Sequence, residues 1–169
     1  MTVSQLDFDR WVGEHGPVLY RLAYRLVGDR HEAEDILQET FRSAWKSRRL
    51  FEAGRGERAW LAAILRRRVV DHWRHTGGHA ARQVEGNLEV GTPAVDPLAG
   101  DYSDEMQQAL DQLPGELKET LLLVVVLELT HQEAADELKI PLGTVLSRVS
   151  RARTRLREFL LARAGASRK

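Results

Sequence analysis

The sequence predicts an all-α protein: two small helical domains joined by a flexible acidic linker, the second domain built around a helix-turn-helix. Three observations carry this. Apolar residues recur at helical spacing on both sides of the chain's middle. A Gly- and Pro-punctuated stretch, 76–103, separates them. Near the C-terminus a capping pair, an apolar helix, a Pro/Gly interruption and a basic helix follow one another in the order of a helix-turn-helix. The expected division is an N-terminal helical domain over 1–75, a linker over 76–103 and a C-terminal domain over 104–169. At 169 residues and 43% hydrophobic composition, the chain is long and apolar enough for packed cores.

Taken in order, Phe8, Trp11, Val12, Val18, Leu19, Leu22, Ala23, Leu26 and Val27 lie at helical spacing, and Gly13, Gly16 and Pro17 are expected to split them into two helices. Gly28 suits a helix C-terminus. Asp29 with Glu32 forms a capping pair that opens a helix through Ala33, Ile36, Leu37, Phe41, Ala44 and Trp45. The outer face of that helix carries Glu34, Asp35, Gln38 and Glu39, either a solvated strip or a surface for a basic partner. Lys46 to Arg58 lacks a helical period and reads as a basic loop holding Arg48, Arg49, Phe51, Arg55 and Arg58. A helix from Glu57 to His75 follows, with Trp60, Leu61, Ile64, Leu65 and Val69 inward and Arg66, Arg67, Arg68 and Arg74 in its second half. Arginines beside Trp60 and Trp73 suit single-stranded nucleic acid, although Trp60 sits at core spacing.

In the C-terminal part, Met106, Leu110 and Leu113 mark a helix from about Asp104, and Pro114 is expected in the first turn of the next. The nearly all-apolar end of that next helix, through Leu121, Leu122, Val124, Val125 and Leu127, marks it as central to the core. Thr130 and Glu133 form a capping box for the helix that carries Ala134, Ala135 and Leu138. Pro141 and Gly143 interrupt it, and a second helix is expected from about Thr144, continuing through Phe159 and Leu160. Val145, Val149, Ala152 and Leu156 form its buried stripe; Thr144, Ser147, Arg148, Arg151 and Arg155 lie opposite. Hydroxyls and guanidiniums on the second helix of such a motif are groups that donate to base edges and phosphates in a major groove.

Charge sharpens the reading. The formal net charge is zero, yet it is segregated: residues 1–41 carry −4, 42–75 carry +7, 76–142 carry −10 and 143–169 carry +7. Two basic blocks flanking an acidic one suggest two surfaces for nucleic acid. The longest apolar run, Leu121 to Leu127, is far short of the roughly 20 residues a membrane span needs, and no secretory pattern opens the chain, so a cytoplasmic protein without direct membrane insertion is expected. With no cysteine, and with His72, His75 and His79 read as surface histidines, neither a metal nor a cofactor is expected. No nucleophile–base arrangement or phosphate-binding glycine loop points to an enzyme, so no catalytic residue is assigned.

The segments AEDILQETFRSAW (33–45), RAWLAAILRRRVVDHWRH (58–75), LPGELKETLLL (113–123) and HQEAADELKIPLGTVLSRVSRARTRLRE (131–158) together resemble the extracytoplasmic-function class of bacterial sigma factors, in order and over nearly the whole chain. The resemblance implies that Glu34, Asp35, Gln38 and Glu39 lie in the strip that binds core RNA polymerase. It implies that Arg48, Arg49, Arg55 and Arg58 belong to the loop that captures a flipped base of the minus-ten element, with Arg66, Arg67 and Arg74 on the helix touching the same element. It further implies that Ser147, Ser150 and Arg151 read the minus-thirty-five element, with Arg148 and Arg153 nearer phosphate and Thr144 and Arg155 on the same helix. The linker would thread the polymerase toward the RNA exit path, its acidity imitating nucleic acid. Core RNA polymerase, promoter DNA and an anti-sigma protein are the implied partners. The chain departs from the family's pattern at Leu146, where Lys or Arg is frequent, at Arg67, where Asn is frequent, and at Glu128, where glycine is common. A stand-alone helix-turn-helix regulator with an N-terminal interaction domain is the alternative; it would bind duplex DNA tightly by itself.

Overall fold

The computed structural model describes residues 3–77 and 104–166, and the fold is all-α, with no strand among them. The stretch read as a linker lies outside the described residues apart from Thr76 and Gly77, as does His79. Three helices form an N-terminal lobe: α1 (Gln5–Val27), α2 (Arg30–Ser47) and α3 (Glu57–His75). Four form a C-terminal lobe: α4 (Asp104–Asp111), α5 (Gly115–Val125), α6 (His131–Leu138) and α7 (Leu142–Ala166).

The expected break in α1 does not occur. Pro17 sits inside one continuous helix, on an exposed position. Its ring removes one backbone hydrogen bond, but Phe8, Trp11, Leu19, Leu22 and Leu26 form an unbroken buried stripe on the opposite side. Burial of each large apolar side chain is worth about 1.5–3 kcal/mol, so the stripe outweighs the missing bond. Ser4 caps the start with a full capping box to Asp7, and Gly28, at φ 74°, ends the helix in the left-handed region. Asp29 caps α2 through the Glu32 amide.

The segment between α2 and α3 is not a plain loop. It winds as two short 3₁₀ turns, Arg48–Leu50 and Ala53–Arg55. Phe51 anchors it, its ring 4.8 Å from Trp11 and 5.4 Å from Trp60. Trp60 is therefore core, as its spacing indicates, and Trp73 is half-buried against the same core. Gly56, at φ 78°, turns the chain into α3.

In the C-terminal lobe Pro114 is the residue before α5 rather than a residue of its first turn. Thr130 and Glu133 make the expected capping box. The turn of the helix-turn-helix is made differently from the expectation. Helix α6 ends at Leu138 because Lys139 enters the left-handed region at φ 54°, before Pro141 is reached. Helix α7 starts at Leu142, two residues ahead of the expected start, so Gly143 belongs to its first turn. It runs on past Leu160 to Ala166.

The lobes share one apolar core. Lys118, on α5 and nearly fully buried, donates to the Leu26 carbonyl oxygen at the end of α1 (3.4 Å) and to Asp111 (2.7 Å). Arg25 donates to the Gln107 side-chain oxygen (2.8 Å), joining α1 to α4.

Candidate nucleic-acid interface

Three surfaces carry the residues singled out above. On α7, Val145, Val149 and Ala152 turn inward. Ser147, Ser150, Arg151, Arg153 and Arg155 are exposed, whereas Thr144 is half-buried. The Ser147 hydroxyl donates to the Thr144 carbonyl oxygen (3.2 Å) and the Arg151 guanidinium to that of Ser147 (3.4 Å), which holds both side chains near their own helix. Arg148 departs from the group. Its guanidinium is drawn to Glu116 at 3.0 Å, inside the C-terminal lobe.

The arginines of the basic segment and α3 divide into two sets. Arg49, Arg67 and Arg74 are exposed. Arg48 lies over the Trp45 ring, 3.8 Å from its centroid, and donates to the Trp45 carbonyl oxygen (2.7 Å). Arg55, Arg58 and Arg66 instead reach across to the C-terminal lobe. Arg55 pairs with Glu137 at 2.8 Å. Arg58 donates to the Leu127 carbonyl oxygen (3.1 Å) and to Glu128 (3.3 Å). Arg66 holds Glu119 at 2.7 Å and Glu137 at 3.0 Å, and also donates to the Glu137 carbonyl oxygen at 3.2 Å. The Glu137 side chain is only 5% exposed. Burial alone would push the Arg66 guanidinium down, but the carboxylates of Glu119 and Glu137 outweigh it and raise its pKa, so it stays charged.

Nothing in the sequence marks Glu119, Glu128 or Glu137 as a partner of these arginines; Glu128 stands out there only as a residue where the family commonly has glycine. The only trace of the pairing there is the −10 charge of residues 76–142, which says that attraction to the basic block can occur but not between which residues. Glu128 has a further peculiarity: at φ 55° it occupies the left-handed region that glycine tolerates best.

On α2, Asp35 and Gln38 are exposed. Glu34 pairs with Arg30 (3.1 Å) and Glu39 with Arg42 (2.8 Å), both within the helix and open to solvent. The strip therefore keeps exposed acceptors while two of its carboxylates are partly neutralised locally.

A cavity of about 540 Å³ opens where the basic segment faces the C-terminal lobe, lined among others by Phe51, Gly56, Arg58, Glu128, Leu129 and Glu133. In its wall, His15 and Glu57 join Glu14 to bring three potential ligand atoms within 4.8 Å of one another. Arg10 bridges the two carboxylates, at 3.1 Å from Glu14 and 2.9 Å from Glu57, and so already supplies the positive charge a cation would bring. Burial would raise the Glu57 pKa, but bonds from His15 and Arg10 prevail and hold it below the ordinary carboxylate value. Of the histidines read as surface residues, His72 faces Glu32 at 3.3 Å and His75 is exposed.

Residues 11–78 match the Sigma-70 region 2 family and residues 103–156 the Sigma-70 region 4 family. Among similar curated proteins, the ECF RNA polymerase sigma factor SigE of Mycolicibacterium smegmatis is 35% identical over 91% of this chain, which spans 62% of that protein's length. The ECF RNA polymerase sigma factor SigW of Bacillus subtilis is 30% identical over 84% of this chain and 82% of its own. Among solved structures, the sigma factor RpoE of Bartonella quintana, in complex with the anti-sigma factor NepR, superposes with a TM-score of 0.75 at 31% identity, covering 91% of this chain and 96% of that one. CnrH, in complex with the cytosolic domain of CnrY, superposes with a TM-score of 0.70 at 26% identity, over 94% of this chain and 90% of its own.

Proposed function

The chain belongs to the extracytoplasmic-function sigma factors of bacterial RNA polymerase, and from that premise we propose that it binds core RNA polymerase, directs it to promoters and assists local melting at initiation. The observation that carries the reading is that the matches to regions 2 and 4 fall on two lobes that each expose cationic side chains, in the family's order.

The parts divide the work as follows. Residues 1–75 bind polymerase and the minus-ten element, and 104–169 bind the minus-thirty-five element, with 76–103 between them. On α2, Asp35, Gln38, Glu34 and Glu39 form the polymerase-binding strip, where complementary charge speeds encounter and fixes orientation. The segment with Arg48, Arg49, Arg55 and Arg58 holds an unstacked base, and Arg66, Arg67 and Arg74 hold adjacent phosphates. Extruding a base costs a few kcal/mol, which stacking and pocket contacts offset. On α7, Ser147, Ser150 and Arg151 face base edges, with Thr144, Arg148, Arg153 and Arg155 flanking them toward phosphate. The chain performs no catalysis of its own; bond formation belongs to the polymerase. It acts in the cytoplasm, and none of its described helices is long and apolar enough to cross a membrane. An anti-sigma protein is a further partner, as NepR is for the Bartonella sigma factor.

Co-elution of the purified chain with core RNA polymerase tests the proposal, with Asp35→Arg as the diagnostic variant. Stoichiometric binding weakened at least tenfold by the charge reversal is the expected result, a loss of about 1.4 kcal/mol. Failure to associate, together with tight duplex binding by the free chain, would replace it with the stand-alone regulator.

A further inference from the structure

The recognition surface of α7 contains a residue that its polar chemistry does not account for. Leu146 exposes 48% of its surface and Leu142, one turn earlier, 40%. Both lie in the first turns of the second helix of the motif, which is the part of such a helix that approaches base edges. At 100° per residue, Leu146 stands on the flank of the helix, about 60° from the buried Val149 and about 40° on the other side from the exposed Ser150. Exposed apolar side chains are ordinary on a protein surface when isolated. Here the setting restricts what can cover the pair. The exposed residues on its side of the helix are Gly143, Ser150 and Arg153, with Ser147 next along the chain, a rim of small hydroxyls and cations. Residues 143–169 carry +7, which suits a polyanion. The occupant that offers negative charge around an apolar spot is duplex DNA, whose major groove presents one apolar group, the thymine C5-methyl.

We propose that Leu146 is a specificity-determining residue of this sigma factor, contacting a thymine methyl in the upstream promoter element, with Leu142 closing the apolar patch behind it. The inference rests on the proposed function and adds to it a class of base. A guanidinium at this position would donate to guanine; a leucine can donate nothing, so it discriminates by burying a methyl and by leaving the polar edges of other bases without a partner.

Holoenzyme assembled from the full chain and core RNA polymerase would first select bound duplexes from a randomised library. Each thymine of the selected upstream element would then be replaced by deoxyuridine, which keeps every hydrogen-bonding group and removes only the methyl. With the native chain, one such replacement should weaken binding about fourfold, the value of one buried methyl-sized group. With Leu146→Ala the same replacement should have no effect. Thermal melting of Leu146→Ala should match the native chain, since the side chain lies outside the core. Deoxyuridine tolerated at every position, an equal loss in both proteins, or a selected element without thymine would overturn the assignment. Failure of the native chain to co-elute with core polymerase would overturn the underlying reading and this assignment with it, and is read before any DNA is added.

Discussion

Glu137 receives two guanidiniums from the N-terminal lobe, and Glu137→Ala tests what that contact contributes. Its carboxylate is 5% exposed and receives two guanidiniums, from Arg55 at 2.8 Å and Arg66 at 3.0 Å. The Arg55 side chain is half exposed, so its pair contributes under about 1 kcal/mol. The Arg66 pair is drier, and a hydrogen bond to a charged group of that kind contributes about 1.5–3 kcal/mol. Removal leaves Arg66 with Glu119 still at 2.7 Å, so its charge is not abandoned. The expected loss of lobe–lobe affinity is therefore about 2–3 kcal/mol, a rise of roughly 30- to 150-fold in the ratio of separated to packed lobes. The absence of cysteine makes the assay direct. Cysteines introduced at the exposed Leu50 and Gln132, labelled as donor and acceptor, report lobe separation by energy transfer. Transfer should fall in Glu137→Ala, and should fall further in that variant when salt is raised to about 1 M, which screens the exposed Arg58–Glu128 pair but little of the half-buried Arg66–Glu119 pair. Unchanged transfer in both experiments would refute the reasoning.

Three further outcomes follow from particular residues. Glu128→Gly should stabilise the chain by about 1 kcal/mol, because a non-glycine residue in the left-handed region costs about that much and the Arg58–Glu128 pair that it removes is too exposed to offset the gain; a lower melting temperature would contradict this. Thr130→Ala should cost about 1 kcal/mol in denaturant unfolding by removing one half of the capping box of α6, and no change would show that the cap is redundant. Glu57→Gln should flatten the acid limb of the stability profile. Glu57 has a lowered pKa in the folded chain, so its contribution is present above the ordinary carboxylate value of about 4.3 and is lost as pH falls through the lower folded value. An unchanged acid midpoint would exclude it.

What is legible in the sequence is local. The bounds of α3 read as Glu57 to His75 because Gly54 and Gly56 precede it and its core residues keep helical register. The starts of α2 and α6 read from Asp29 and Thr130, whose caps need only a neighbour three residues on. Where local signals compete with burial, the reading fails: Pro17 marks a break, yet the stripe from Phe8 to Leu26 keeps α1 whole. Sequence assigns the turn before α7 to Pro141 and Gly143, whereas Lys139 ends α6, a lysine in a conformation that composition gives no reason to expect. The site is legible as charge and face but not as pairing. Arg55, Arg58 and Arg66 read as DNA-facing, and nothing in their spacing shows that Glu137, Glu128 and Glu119 lie within reach, because that depends on how two lobes meet.

The geometry at Arg66 also couples two binding events. The Arg66 Nε and Nη1 are committed to Glu119 and Glu137, so on the proposed function a phosphate that draws on those same donors competes with lobe packing. On the proposed function, the DNA affinity of the free chain is lowered to the extent that packed lobes occupy those donors. Any partner that binds the separated arrangement better than the packed one raises the fraction of molecules with the lobes apart. By linkage it tightens DNA binding by the same factor without touching the DNA or altering a single contact to it.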